Sequence, residues 1–148
     1  MKHFIFILLI GFFSLNLQSQ NIHQAIHKGM ICDSLLWTST DYPVRLKNDV
    51  TELEKTLSDQ LTLYPEDLEK NAEITYRFTV TCAGIHTHSS LASHKGNIKG
   101  LSDRILKILN VNCSFIPAMN SDQPVNSFYE LGIKFRKGKI SVILQDDL

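Results

Sequence analysis

The feature that most constrains the fold of this chain is a stretch of strict alternation over residues 73–82. Apolar side chains occupy every second position of it, namely Ile74, Tyr76, Phe78, Val80 and Cys82. A period of two built from β-branched and aromatic residues predicts a half-buried strand. Ala83-Gly84 follows as a tight turn, because glycine accepts the positive φ that hairpins need. We therefore expect a return strand from Ile85 to about Leu91.

A second alternating stretch begins at Val125. Its predicted inward residues are Val125, Tyr129, Leu131, Ile133 and Phe135, and its predicted outward residues are Asn126, Phe128, Glu130 and Lys134. Lys137-Gly138-Lys139 has the composition of a hairpin turn. Ile140 to Leu144 is then predicted to be a short final strand that folds back onto its neighbour.

Two further segments have helical periodicity. Asp49 with Glu52 three residues later is typical of a helix start, and it precedes an apolar face that predicts a helix from about Val50 to Leu61. Tyr64-Pro65 then restarts a turn, since proline favours the first position of a helix. The second helical face consists of Leu101, Ile105, Ile108 and Leu109.

The order of these elements predicts a fold class. Strands joined by tight turns, together with two helices packed on one face, make a small α+β domain with a mainly antiparallel sheet. The composition agrees with a globular chain, since 43% of the residues are hydrophobic and 20% are charged. The formal net charge is zero, which argues against a nucleic-acid-binding protein with a strongly basic face.

The first twenty residues are typical of a secretory signal peptide. Met1-Lys2-His3 is basic, Phe4 to Leu17 is a mostly apolar run of 14 residues, and Ser19 is a small residue at a cleavable position. Cleavage there would leave 148 − 19 = 129 residues in the periplasm or outside the cell. An uncleaved anchor is the competing interpretation, but a spanning helix needs ~20 apolar residues. We divide the remainder into a lead-in segment, residues 20–41, and one domain, residues 42–148.

Catalytic motifs are not evident in the sequence. No serine is flanked by the glycines of a nucleophile elbow, and no glycine-rich loop cradles a phosphate. Glu66-Asp67 and Asp146-Asp147 are interpreted as solvated charges rather than as a catalytic pair. We therefore predict a protein that is not an enzyme and that uses no cofactor.

The segment from Tyr42 to Phe135 resembles the C-terminal domain of TonB-type energy transducers. The resembling pieces, in chain order, are Tyr64-Pro65, the alternating strand that ends at Gly84, Phe115-Ile116-Pro117-Ala118, Pro124-Val125, and Tyr129 through Phe135. Phe115 stands where the family usually has tryptophan. The resemblance implies a non-catalytic domain that binds a protein of the outer membrane or the periplasm, with energy transduction to transport as the family's activity.

In this family the partner, an outer-membrane transporter, pairs an extended segment with the edge of the last family strand, here about Asn126 to Phe135. Such pairing uses the free backbone groups of a sheet edge. We predict that the final strand, Ile140 to Leu144, covers this edge at least in part. The candidate partner-binding residues that follow from the resemblance and the strand pattern are Tyr64, Pro65, Phe128, Glu130 and Lys134.

The resemblance also suggests a disulfide. It makes the strand that ends at Cys82 an antiparallel neighbour of the last family strand, which Cys113 opens, so the two thiols become candidates for pairing in an oxidising compartment. The alternative is a pair of buried free thiols. In the first case Cys32 is the unpaired cysteine, either free or linked to another chain.

Histidines suggest a weaker, different function. His86, His88 and His94 share one parity along the return strand, and two imidazoles about 7 Å apart on one face suit a transition metal. His23 and His27 form a second pair at helical spacing. The other interpretation is a solvated polar face, and we assign no metal ligands. A secreted module that binds a small ligand or a metal on the same scaffold is therefore the alternative function.

Overall fold

A computed structural model describes residues 35–147 of the chain. The predicted signal peptide, His23, His27 and Cys32 lie outside the described residues, so the predictions made for them remain predictions. All described residues belong to one unit. No helix among them is both long enough and apolar enough to span a membrane.

The main sheet is built on two long strands. β3 (Asn71–Val80) and β7 (Gln123–Arg136) pair antiparallel, from Asn71 opposite Arg136 to Val80 opposite Ser127. On its other side β3 pairs antiparallel with β4 (His86–Gly96), which is the end strand among the described residues. The two alternating stretches of the sequence thus lie side by side at the centre of the sheet.

Four short strands that periodicity could not reveal complete the arrangement. β1 (Leu36–Trp37) pairs parallel with β7, although it lies in the segment predicted as a lead-in. β2 (Arg45–Leu46) and β5 (Phe115–Ile116) form a separate antiparallel pair, and β6 (Ala118–Asn120) pairs with the start of β7. Segments of two or three residues are too short to show an alternation.

The two helices have the predicted positions. α1 (Val50–Gln60) begins at Asp49, whose carboxylate accepts the backbone N–H of Glu52 at 3.0 Å and so caps the helix. α2 (Leu101–Asn112) follows Gly100, which has a φ of 70°. Short 3-10 turns lie at Pro65–Asp67 and Gln145–Asp147.

The hydrophobic core lies between the helices and one face of the sheet, called here the inner face. Its fully buried members include Leu53 and Leu57 of α1, Leu101, Ile105 and Leu109 of α2, Ile74, Tyr76, Phe78 and Val80 of β3, and Leu131, Ile133 and Phe135 of β7. The Tyr76 hydroxyl donates to the Ser102 carbonyl at 2.9 Å and so joins the central strand to α2. Burial raises the pKa of Tyr76 well above its ordinary value. The predicted α+β class, with both helices on one face, is confirmed.

The last strand, β8 (Lys139–Ile143), pairs antiparallel with β7 over Gly132 to Arg136. The turn before it is Lys137-Gly138, with positive φ at both residues. β8 therefore covers part of the β7 edge, as predicted. A hydrogen bond to α1 also holds β8 in place, because the Val142 N–H donates to the carboxylate of Glu54 at 2.8 Å.

Candidate partner-binding surface

The second face of the main sheet, called here the outer face, points away from the described helices. Directly opposed residues of an antiparallel pair share a face, so the register defines its membership. The outer face consists of Asn71, Glu73, Thr75, Arg77 and Thr79 on β3, Phe128, Glu130, Gly132, Lys134 and Arg136 on β7, His88, Ser90, Ser93 and Lys95 on β4, and Lys139, Ser141 and Ile143 on β8. Apart from Gly132, which is buried, these residues are exposed or half-buried.

One end of the outer face carries an aromatic ring and a balanced ion pair. The Arg77 Nε and Nη2 atoms donate to Glu130 Oε1 at 2.8 and 2.6 Å, and the guanidinium lies 5.5 Å from the centre of the Phe128 ring. The Arg77 side chain is 52% exposed, so this pair contributes little to stability. The two charges of the pair neutralise each other, and the Phe128 ring remains as an apolar contact surface beside the guanidinium.

The opposite end of the outer face is basic. Glu73 Oε1 lies 3.5 Å from Lys134 Nζ and 4.0 Å from Arg136 Nη2, and Lys95 stands opposite Glu73 on the neighbouring strand. Lys139 of β8 stands opposite Arg136. The carboxylate of Glu73 thus lies among four cationic side chains. Two adjoining depressions of about 470 and 220 Å³ open here, and Glu73 and Lys95 line both.

The structure brings three of the five predicted partner-binding residues together. Phe128, Glu130 and Lys134 lie on the outer face of the same strand. Tyr64 and Pro65 lie in the turn after α1, and Tyr64 contacts α2, since the Arg104 guanidinium lies 4.5 Å from the centre of the Tyr64 ring. The basic residues Lys95 and Arg136 were not singled out from the sequence, because their neighbours depend on strand register.

The turn that holds Tyr64 and Pro65 is built around a buried carboxylate. Asp67 is fully buried, and it accepts the Tyr64 N–H at 2.9 Å, the Lys70 Nζ at 2.8 Å and the Arg104 guanidinium. Burial by itself would raise the pKa of Asp67. The hydrogen bonds from Lys70 and Tyr64, together with the positive charge of Arg104, outweigh burial and lower that pKa. Asp67, interpreted from the sequence as a solvated charge, instead anchors this turn to α2.

The prediction that His86 and His88 project from one face is wrong. His88 stands opposite Thr79 and His86 opposite Val80, so Thr87 is an extra residue at a bulge. The bulge turns His86 inward, where its ring packs edge-on to Phe78 and Phe115 at centroid distances of 5.6 and 5.8 Å. Within residues 35–147 no three His, Cys, Asp or Glu side chains are grouped so that they could hold a metal ion.

The predicted Cys82–Cys113 disulfide is wrong as well. Cys113 ends α2 as a buried free thiol, and burial raises its pKa to about 12, whereas Cys82 is disulfide-bonded. The prediction took Cys113 to open the strand beside Cys82, but β7 begins ten residues later, at Gln123. The β7 residue that meets Cys82 is Asn126, whose side-chain oxygen accepts the Cys82 N–H at 2.9 Å.

We expect Cys82 to be linked to Cys32. The Asn126 amide nitrogen donates to the Leu35 carbonyl at 3.3 Å, so Asn126 bridges Cys82 to a residue only three positions from Cys32 in the chain. Cys32 is also the remaining cysteine of the sequence. Alkylation of the denatured, unreduced protein should add one label, at Cys113, and reduction should raise the number to three. Reduction should also lower the free energy of unfolding by about 4 kcal/mol, the value that chain entropy gives for a loop of this length.

The Cys113→Ser variant is the control for this measurement, because it should take no label before reduction. Peptide mapping without reductant should recover the Cys32 and Cys82 peptides as one species. A label on Cys82 before reduction, or a peptide that links Cys82 to Cys113, would contradict the assignment.

The edge of β7 that faces away from β3 is occupied over most of its length. β1 pairs at Asn126 and Ser127, and β8 pairs from Gly132 onward. Between these strands the Glu130 N–H donates to the Gln145 side chain at 3.0 Å. A partner segment therefore finds no continuous free edge here, whereas the described helices leave the outer face uncovered.

Comparison of the chain with protein-family models, with curated proteins and with solved structures finds no match.

Proposed function

We propose that this chain is a non-catalytic protein of the cell envelope, secreted or periplasmic, whose domain binds a protein partner through the outer face. The observation that carries the proposal is the composition of that face. It places an aromatic ring, a charge pair and a basic cluster along two long central strands, and the described helices pack on the opposite face. Interfaces combine aromatic and arginine contacts in this way.

The resemblance to TonB C-terminal domains supports a partner in the outer membrane or the periplasm, and it leaves energy transduction to transport as a further proposal. The manner of binding would differ from that of the family. Since β8 already pairs with β7 from Gly132 to Arg136, a partner strand would have to displace five residues of native pairing. Binding to the outer face requires no such displacement.

The proposal is tested by site-specific photo-crosslinking in intact cells. A benzophenone amino acid at Phe128 samples the outer face, and the same amino acid at Lys55, an exposed position on α1, is the matched control. We expect a discrete crosslinked product for position 128 alone, containing an outer-membrane or periplasmic protein. The Arg77→Glu variant, which reverses the charge beside Phe128, should reduce the yield of that product.

Two results would contradict the proposal. One is an equal set of products at positions 128 and 55, which would indicate random collision. The other is the absence of any product at position 128 while the purified variant gives a circular dichroism spectrum and a melting temperature equal to those of the wild type.

A further inference from the structure

We infer that the basic end of the outer face, formed by Glu73, Lys95, Lys134, Arg136 and Lys139, receives an acidic segment of the protein partner. This inference rests on the proposed function and names the chemistry of the partner at one place on the surface.

The register of the sheet concentrates the positive charge. Lys95 and Lys134 flank Glu73 on both neighbouring strands, and strands lie about 4.8 Å apart, so the three side chains form one row across the sheet. Arg136 and Lys139 form the next pair along the strands. Four cations against one carboxylate leave an excess of three positive charges, although the formal net charge of the whole chain is zero.

The cations of the basic end remain accessible. The side chains of Lys134 and Arg136 are 36% and 64% exposed, and that of Glu73 is 44% exposed. The Glu73 carboxylate lies 3.5 Å from Lys134 Nζ and 4.0 Å from Arg136 Nη2. Exposed pairs of this kind contribute little free energy. An incoming carboxylate can therefore bind Lys134 or Arg136 without the loss of a strong internal contact.

The shape of the basic end favours a polypeptide over a lipid surface. The two depressions adjoin at Glu73 and Lys95, and Gly132 and Ile143 line the smaller one. Gly132 contributes no side chain to the outer face, so the surface is concave where Thr75 stands opposite it. Side chains that project from an extended segment can enter such a depression, whereas the plane of a bilayer cannot follow it.

The other end of the outer face has no excess charge and presents an aromatic ring, and this difference between the two ends sets the direction in which a segment binds. There Arg77 is neutralised by Glu130 and lies against Phe128. A segment that carries acidic residues at one end and an apolar residue at the other would match both ends of the face. A second copy of this chain offers exposed acidic residues on α1, among them Glu52 and Asp59, and is the competing occupant.

The test uses the purified mature protein labelled with ¹⁵N and a synthetic ten-residue peptide of alternating glutamate and serine, in buffer of low ionic strength. We expect amide shifts centred on Glu73, Lys95 and Lys134. The double variant Lys95→Glu, Lys134→Glu should bind the peptide on the order of ten-fold more weakly, because each reversed charge changes a modest exposed interaction. The control variant Lys55→Glu, Lys107→Glu changes the net charge equally at exposed helix positions and should bind almost as well as the wild type.

Four results would overturn the inference. Two concern binding: an equal loss of peptide binding in both double variants, or binding to phosphatidylglycerol vesicles without binding to the peptide. Two concern the amide shifts: peptide-induced shifts centred away from the basic end, or shifts on α1 that depend on protein concentration and so show self-association. A crosslink at position 128 that persists when the peptide fails to bind would refute the acidic segment and leave the proposed function standing.

Discussion

Replacement of Phe78 with alanine is expected to lower the free energy of unfolding by about 3–5 kcal/mol. Phe78 is fully buried on the central strand β3, and its ring packs against Phe115 at a centroid distance of 5.3 Å and against His86. Removal of the ring leaves a cavity between the sheet and the segment that contains β5. Urea unfolding followed by circular dichroism measures the loss.

The same substitution at Phe128 is the matched control. Phe128 lies on the outer face of the adjacent strand and is only half-buried, so its loss should cost about 1 kcal/mol or less. If Phe78→Ala and Phe128→Ala destabilised the protein equally, the assignment of inner and outer faces would be wrong.

Replacement of Asp67 with alanine is expected to cost about 3–5 kcal/mol, since it removes the partner of two cations that are largely withdrawn from water. The side chains of Lys70 and Arg104 are 9% and 23% exposed. Without the carboxylate, the Tyr64 N–H also loses its acceptor, and the turn loses its ion pair with Arg104 of α2. Urea unfolding at neutral pH measures this loss.

The pH dependence of stability gives a second measurement on the same residue. The pKa of Asp67 in the folded protein lies below its ordinary value of 3.8, so the folded state favours the ionised form. This contribution to stability is fully present above the unfolded-state pKa and is lost as the pH falls through the lower folded-state pKa. The Asp67→Asn variant should therefore lose less stability than the wild type between neutral pH and about pH 3.

Glu66→Gln is the control for both measurements, because Glu66 belongs to the same 3-10 turn but is exposed. It should leave stability and its acid dependence almost unchanged. If Glu66→Gln destabilised the protein as much as Asp67→Ala, or if Asp67→Asn kept the full acid dependence, the buried carboxylate would not be the origin of the effect.

Local patterns in the sequence determined the main elements of this protein. Alternation placed β3 and β7 and assigned Phe128 to the outer face, because successive residues of a strand project to opposite sides. The Asp49 cap marked the start of α1, and Lys137-Gly138-Lys139 marked the turn that brings β8 back onto β7. In each case the physical cause acts between residues close together in the chain.

The tertiary structure alone decided the features that depend on distant contacts. The bulge at Thr87, which separates His86 from His88, exists only in the pairing of β4 with β3. Arg104 joins Asp67 across 37 positions of sequence, and the extra residues between α2 and β7 place Asn126, not Cys113, beside Cys82. The basic end likewise gathers Lys95, Lys134 and Lys139 from three strands. Periodicity shows which way a side chain points, but its neighbour across the sheet depends on register, bulges and connection lengths, which the packed structure as a whole sets.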